Sequence, residues 1–349
     1  MRLISQQITG TKSKSAKEIV GWMGAMQAQD FNMAKWAIGL RLNNGNEEHI
    51  NAAINSGEII RTHVLRPTWH FVAAENIYWM IELTAPRLKS SMRGRLHQLE
   101  LTEKVLKKSN KIIEQFLRNG KHATRKELLG ELDKAKIATD ENRASHILLN
   151  AELDKIICSG KMNGKQTTYV LLSERVPKPK RLHKEEALKN LACQYFQSHC
   201  PATLHDFVWW SGLSVTDAKH ALELIKDDFI SEKINSELYW FPNSFSIQKN
   251  FEESVFLLPA FDEFLISYKD RTAAIIKEHH GKAFSNNGIF WPTIVVNGQV
   301  VGLWKREIKK DTVIIEPVFF DKKNKAPKID LAKAADRFAV FLNLRTKFV

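Results

Sequence analysis

Residues 58–72, EIIRTHVLRPTWHFV, read as two β runs hinged at Arg66 and Pro67, because β-branched and aromatic residues flank a proline that cannot continue a strand. Three short helices are predicted ahead of this hairpin. The first runs from Ala16 to Met26, the second passes through Ala34, Trp36, Ala37, Ile38 and Leu40, and the third begins near Asn46 and ends before Ser56 and Gly57 with Ile50, Ala53 and Ile54 as its apolar stripe. Three helices and then a hairpin is the order of a winged helix, although the same order also suits a general α+β module.

The order recurs downstream. Thr124 is placed to cap a helix through Leu132, a second helix is expected over Asn142 to Ile156, and KIICSGKMNGKQTTYVLL at 155–172 supplies two strands around Gly160 and Gly164. RVPKPKRLHK at 175–184 has the proline and charge content of a linker. After it come a helix from Glu185 to Gln197, a short one at Leu204 to Trp210, one starting at Ser214, and strands around Ile230 to Lys233 and Leu238 to Phe241. Repetition of one order is harder to obtain by chance than a single instance. Beyond Phe251 the chain turns β-rich: SVFLLPAF, WPTIVVNGQVVGLWKREI and DTVIIEPVFF read as strands, with a tight turn at Asn297-Gly298, and a last helix is expected from Ile329 to Leu344. The expected class is therefore α+β and helix-rich, with three tandem winged-helix domains followed by a small C-terminal β-barrel-like domain. The expected divisions are 1–85, 86–175 (connecting helices and second unit), 176–245 and 246–349.

Charge indicates the partner. The chain has 349 residues, 52 Lys and Arg against 39 Asp and Glu, and a net charge of +13, so its field attracts polyanions. Between Arg87 and Lys126 lie twelve basic and three acidic residues. Lys104, Lys107, Lys108 and Lys111 recur at spacings of three and four, which places them on one helical face suited to a phosphate backbone. Solvated helix faces carry similar runs, but here the excess has one sign and lies between two expected winged helices. Cys158, Cys193 and Cys200 lack paired or metal-type spacing, and adjacent His279 and His280 point apart on any regular element, so no metal or other cofactor is expected. No stretch approaches the roughly eighteen apolar residues of a membrane span, and the N-terminus lacks a signal-type apolar segment, so a cytoplasmic protein with no membrane partner is expected.

GWMGAMQAQD at 21–30 followed by IIRTHVLRPTWHFV at 59–72 resembles the signature of the AlkZ-like family of winged-helix DNA glycosylases, which excise alkylated bases. LLPAFDEFLISYKDR at 257–271 and WPTIVVNGQVVGLWKR at 291–306 resemble the C-terminal half of that family in order and spacing. The resemblance covers most of the chain. Its defining Gln-x-Gln element falls on Gln27 and Gln29, and it implies that these are the catalytic residues. Pro67 departs from the pattern, which more usually has glycine before the Thr-x-His of the hairpin.

The chemistry of two amides sets its own conditions. Residues two apart lie about 200° around an α-helix but on one side of an extended segment. Gln27 and Gln29 serve one substrate only where the backbone is extended or leaving a helix, so a helix boundary is expected there. An amide orients water but is too weak a base to deprotonate it, so the substrate must already be activated. An N7- or N3-alkylated purine meets that condition, since it carries positive charge and departs neutral, leaving an oxocarbenium-like sugar for water. A pair of surface amides at a helix end is the plain alternative. In the hairpin, Arg61, Arg66, Thr68 and His70 are candidates for DNA contact, with the lysine face 104–111 alongside, while Trp69 alternates with Thr68 and His70 and is expected to face the core rather than stack. Asp30 is a candidate for stabilising positive charge or for capping the next helix, and Asp262, Glu263 and Arg271 are candidates for a site role or for a salt-bridged structural knot.

These readings converge on a monofunctional DNA glycosylase, a monomer acting on alkylated purines in double-stranded DNA, bulky or crosslinked adducts included. A non-enzymatic winged-helix transcription regulator is the principal alternative, since winged helices most often read the major groove without chemistry.

Overall fold

The computed structural model describes residues 1–179, 181–246, 254–321 and 326–348. The order helix, short strand, two helices, hairpin occurs three times. In the first unit the Ala16–Met23 helix leads into β1 (Ala25–Gln27), helices Phe31–Leu40 and Glu47–Ser56 follow, and β2 (Ile59–His63) and β3 (Trp69–Ala73) close it. Helices Ile77–Gln98 and Glu103–Leu117 then lead to β4 (Ala123–Thr124), helices Arg125–Lys134 and Arg143–Leu153, β5 (Ile157–Ser159) and β6 (Thr168–Leu171). The third unit has helix Lys184–Ser198, β7 (Ala202–Thr203), helices Leu204–Ser211 and Val215–Glu223, β8 (Phe229–Ile234) and β9 (Glu237–Pro242). Each forms a three-stranded antiparallel sheet of the same order, β1-β3-β2, β4-β6-β5 and β7-β9-β8.

The hairpins and helices stand where patterning put them, and the caps explain the boundaries. Asn46 accepts from the His49 amide and Gly57 takes a left-handed φ of 86° at the other end of Glu47–Ser56, while Thr124 and Glu127 form a capping box. Some boundaries differ: the helix expected over Asn142 to Ile156 ends at Leu153, and the first differs most tellingly. The helix expected to reach Met26 stops at Met23, where Gly24 adopts φ 75° and turns the chain into β1. β1, β4 and β7 were not expected, because two or three residues are too few for alternation to register.

Pleating of the first sheet divides its side chains between two cores. Met26, Ile59 and Phe71 enter one core with the Phe31–Leu40 helix and the C-terminal strands, and Ala25, Ile60 and Val72 enter another with the Ile77–Gln98 helix and the third unit. The second unit keeps its own core around Ile113, Leu128, Leu132 and Ile147. The C-terminal region is a curled five-stranded sheet, β10 (Val255–Leu258), β11 (Thr293–Val296), β12 (Gln299–Lys309), β13 (Thr312–Phe319) and β14 (Arg345–Phe348), paired in that order. It is open: β10 and β14 are its edges among the described residues, and the Lys328–Phe341 helix packs against both. β14 was not foreseen; it pairs parallel to β13 after the last helix, which ends at Phe341. Asn297 and Gly298 make the expected turn with φ 51° and 82°.

The C-terminal sheet and the first unit, expected as separate domains, share one hydrophobic core. Trp36 Nε1 donates to the Leu257 carbonyl at 2.8 Å, and its ring meets Phe338 and Phe341, each at 5.1 Å. No described helix is long and apolar enough to cross a membrane.

Candidate active site

Gln27 ends β1 in register with His70 of β3, and both face the side shared by Ala25 and Val72. The backbone is extended through Gln27 and bends at Gln29 and Asp30 before the next helix, which is the break in helical structure that two cooperating amides require. Gln27 is 5% exposed and Gln29 is exposed.

The motif is gripped at three consecutive residues. The Gln27 amide donates to Glu263 Oε1 at 2.6 Å, and its side-chain Oε1 accepts from Arg66 Nη2 at 3.1 Å. The Ala28 amide donates to the Trp69 carbonyl at 2.7 Å, while the Ala28 carbonyl accepts from Arg61 Nε and Nη2 at 3.0 and 2.9 Å. Gln29 Oε1 lies 3.4 Å from the Trp69 amide. Arg61, a candidate for DNA contact, thus spends its guanidinium on the carbonyl between the two glutamines and stacks over Trp69 at 4.2 Å. Burial lowers Arg61 to about 10.

Arg66 reaches Gln27 because the hairpin reverses through two three-residue turns. The Arg66 amide donates to Val64 O at 2.6 Å around Leu65, whose φ is 62°, and the Thr68 amide donates to Arg66 O at 2.7 Å around Pro67. The second turn wants the negative φ that proline supplies, so the residue departing from the family pattern fits its place. Against this tip stands Gly212, where a Cβ would fall 2.3 Å from the Leu65 carbonyl oxygen.

Several polar atoms here have no partner. Arg66 Nε, Thr68 Oγ1, His70 Nε2, His199 Nε2 and Arg271 Nη2 are buried without a hydrogen bond among the described residues. Buried polar groups are ordinarily paired, so Arg66, Thr68 and His70 on the hairpin beside Gln27 stand out. His70 is fully buried, with Nδ1 2.9 Å from Thr68 O, and burial assisted by the Arg66 charge lowers it to about 3, so the ring is neutral. Its neighbour Trp69, expected in the core, is instead half-buried, with its ring tilted against His63 at 4.1 Å and lying under Arg61. Alternation was read correctly, but the sheet is covered on both faces, so the deeper face belongs to His70.

Glu263, read from the sequence as a candidate for a site role or for a structural knot, lies directly against the motif. It is 1% exposed, 236 residues from Gln27, and its Oε2 accepts from the Ser267 hydroxyl and lies 3.8 Å from His199 Nε2. Burial raises its carboxyl, but His199, Arg66 and Ser267 more than offset this and leave it at about 2. No spacing rule connects 263 to 27; only membership in the 257–271 segment hinted at it.

The supporting candidates divide. Asp30 caps the Phe31–Leu40 helix by accepting from the Met33 amide at 3.1 Å. Asp262 accepts two hydrogen bonds from Arg41, at 2.8 and 2.9 Å, with both side chains buried, so it anchors the fold. Arg271 donates to the Leu265 carbonyl at 2.9 Å and lies among the rings of Trp209, Phe284 and Phe290 at 5.0 to 5.3 Å. Away from the motif, Lys104, Lys107, Lys108 and Lys111 are all exposed on Glu103–Leu117; Lys107 pairs with Glu103 and Lys108 donates to the Ala135 carbonyl.

Comparison with known proteins places the chain in a family. The family model for DNA glycosylase AlkZ-like proteins matches residues 20–341. The chain is 23% identical over 345 residues to an interstrand DNA cross-link repair glycosylase of Streptomyces sahachiroi, covering 90% of this chain and 88% of that protein. It shares its fold with the solved Streptomyces sahachiroi DNA glycosylase AlkZ, with a TM-score of 0.82 at 20% identity over 100% of this chain and 97% of the other. The chain, with its Gln-x-Gln element at the end of a short strand, belongs to the AlkZ-like DNA glycosylase family.

Proposed function

We propose that this glycosylase is monofunctional and hydrolyses the N-glycosidic bond of N7- or N3-alkylated purines in double-stranded DNA, including purines held in bulky adducts or crosslinks. The observation that carries the reading is the pair of amides at the strand end, Gln27 fixed by Arg66 and Gln29 open to solvent. Amide carbonyls orient a water without deprotonating it, which suffices when the leaving purine is already cationic. The C1′–N9 bond breaks, its electron pair leaves with the purine, and water oxygen bonds to C1′ and releases its proton to solvent. Arg66, His70 and Glu263 around Gln27 include no amine to form an imine with the sugar, which favours a monofunctional enzyme. The Streptomyces relative is an interstrand DNA cross-link repair glycosylase, which favours extension to crosslinked purines.

On this reading the three repeated units are winged helices, the C-terminal sheet is a barrel-like brace, and a single chain embraces the duplex with the lysine face of Glu103–Leu117 on phosphates. Thr68 and Arg66 meet the damaged nucleotide through their unpaired atoms. The transcription-regulator alternative is disfavoured by membership in a glycosylase family.

The test uses two duplexes, one with a single 7-methylguanine and one with a purine–purine crosslink, with abasic sites converted to strand breaks. Release from either by the wild type and none by Gln27→Ala/Gln29→Ala, with duplex binding retained, supports the reading. Release by the double variant at the wild-type rate removes the catalytic assignment.

A further inference from the structure

We propose that the Glu263 carboxylate supplies the negative potential that stabilises the positively charged sugar formed as the purine departs. This rests on the glycosylase reading above. Glu263 begins the Glu263–Ile266 helix, and three groups hold it behind the motif: the Gln27 amide on Oε1, the Ser267 hydroxyl on Oε2, and the His199 ring at 3.8 Å. Its neighbour Asp262 is consumed by Arg41. Among the described residues, Glu263 has no Arg or Lys within ion-pair distance; its nearest basic group is the His199 ring, with Arg66 acting from further away.

The surroundings need such a charge. Arg66 touches Gln27 and Arg271 lies close enough for their fields to interact, and both oppose a developing cation. Burial holds His70 and His199 towards their neutral forms. A fixed, buried carboxylate acts without reorganisation as charge develops, which is the condition for strong electrostatic stabilisation. With both oxygens engaged and 1% exposure, Glu263 neither takes a proton from water nor bonds to the sugar; it acts through the field and through the Gln27 main chain. It is a positioning and electrostatic residue, distinct from the two glutamines.

Glu263→Gln retains size and an oxygen acceptor for the Gln27 amide but removes the charge. Three quantities distinguish the roles: single-turnover base release from a 7-methylguanine duplex, binding to a duplex with a neutral tetrahydrofuran abasic analogue, and binding to one with a cationic pyrrolidine analogue of the sugar. The expected result is a loss of release of about 10²-fold, unchanged affinity for the tetrahydrofuran duplex, and at least about tenfold loss of preference for the pyrrolidine duplex, with Glu263→Asp recovering part of that preference. Wild-type release and wild-type cation preference in Glu263→Gln overturn the proposal. So does equal loss of affinity for both analogues, which marks a structural role. If the wild type itself releases no base, the glycosylase reading fails first, and the analogue comparison records that separately.

Discussion

At Gln27 one residue combines two kinds of constraint, a backbone amide tied to a buried carboxylate and a side-chain oxygen tied to a buried guanidinium. The same burial that fixes these groups makes the protein sensitive to acid. His70 sits at about 3 in the folded chain against about 6.5 unfolded, so the folded state refuses a proton that the unfolded chain accepts. Stability is therefore fully present above about pH 6.5 and is lost as pH falls towards the folded value, by at most about 1.4 kcal/mol per pH unit from this ring. Glu263, also lowered, adds its loss only below the ordinary carboxyl range. Urea unfolding should show a lower midpoint near about pH 5 than near about pH 7, with a smaller difference in His70→Gln; an equal difference in both proteins would assign the acid sensitivity elsewhere. Arg61 yields a second expectation. Because it holds the Ala28 carbonyl, Arg61→Lys should lower the rate of base release with little change in duplex affinity, measured by single-turnover kinetics against filter binding. A matching loss of affinity would return Arg61 to the DNA surface.

Elements transmit these contacts over long sequence distances. The tip of the β2–β3 hairpin rests on the end of the Leu204–Ser211 helix, where Gly212 has φ 67° and no room for a Cβ. Gly212→Ala should cost on the order of 1–3 kcal/mol in urea unfolding and lower base release as the Arg66 turn is displaced; unchanged stability and rate would mean that the tip is not seated by this helix. The Glu103–Leu117 helix gives an independent test. Lys107 and Lys108 are engaged within the protein, whereas Lys104 and Lys111 are exposed and make no hydrogen bond or ion pair with the described residues. Replacing Lys104 and Lys111 with Gln should flatten the plot of log affinity against log salt by about two units, without changing the urea midpoint. An unaltered slope would place the DNA on another face.

Over the whole molecule the first unit cannot be separated from the last. Trp36 lies between Phe338, Phe341 and the carbonyl of Leu257, and Gly39 approaches so closely that a Cβ would lie 2.5 Å from the Phe341 ring. A fragment of residues 1–245 should therefore expose this apolar surface, bind a hydrophobic dye and unfold without a cooperative transition, whereas two separable domains would give a fragment with its own sharp transition. The third unit in turn reaches the site through His199, whose ring stacks on Tyr195 at 4.7 Å and faces Glu263. The surroundings of Gln27 thus draw on the first unit, the third unit and the C-terminal region at once.

Local sequence determined the elements. Helix caps at Asn46 and Thr124, the Pro67 turn, the Asn297-Gly298 hairpin and the Gln27-Ala28-Gln29 break are each decided by neighbours within a few residues, and so were legible along the chain. The lysine face was legible for the same reason, because helical periodicity is local. What only the tertiary structure decided is which side chains meet. Alternation along β3 showed that Trp69 and His70 point to opposite faces, but not that both faces are covered, so the burial of His70 was invisible. Glu263 over Gln27, Arg61 on Ala28 and the core shared by residues 3–59 and 257–341 arise from contacts between segments whose spacing carries no signal. Their physical reason is packing: desolvation and fixed hydrogen-bond geometry exist only once distant segments have closed around the same volume.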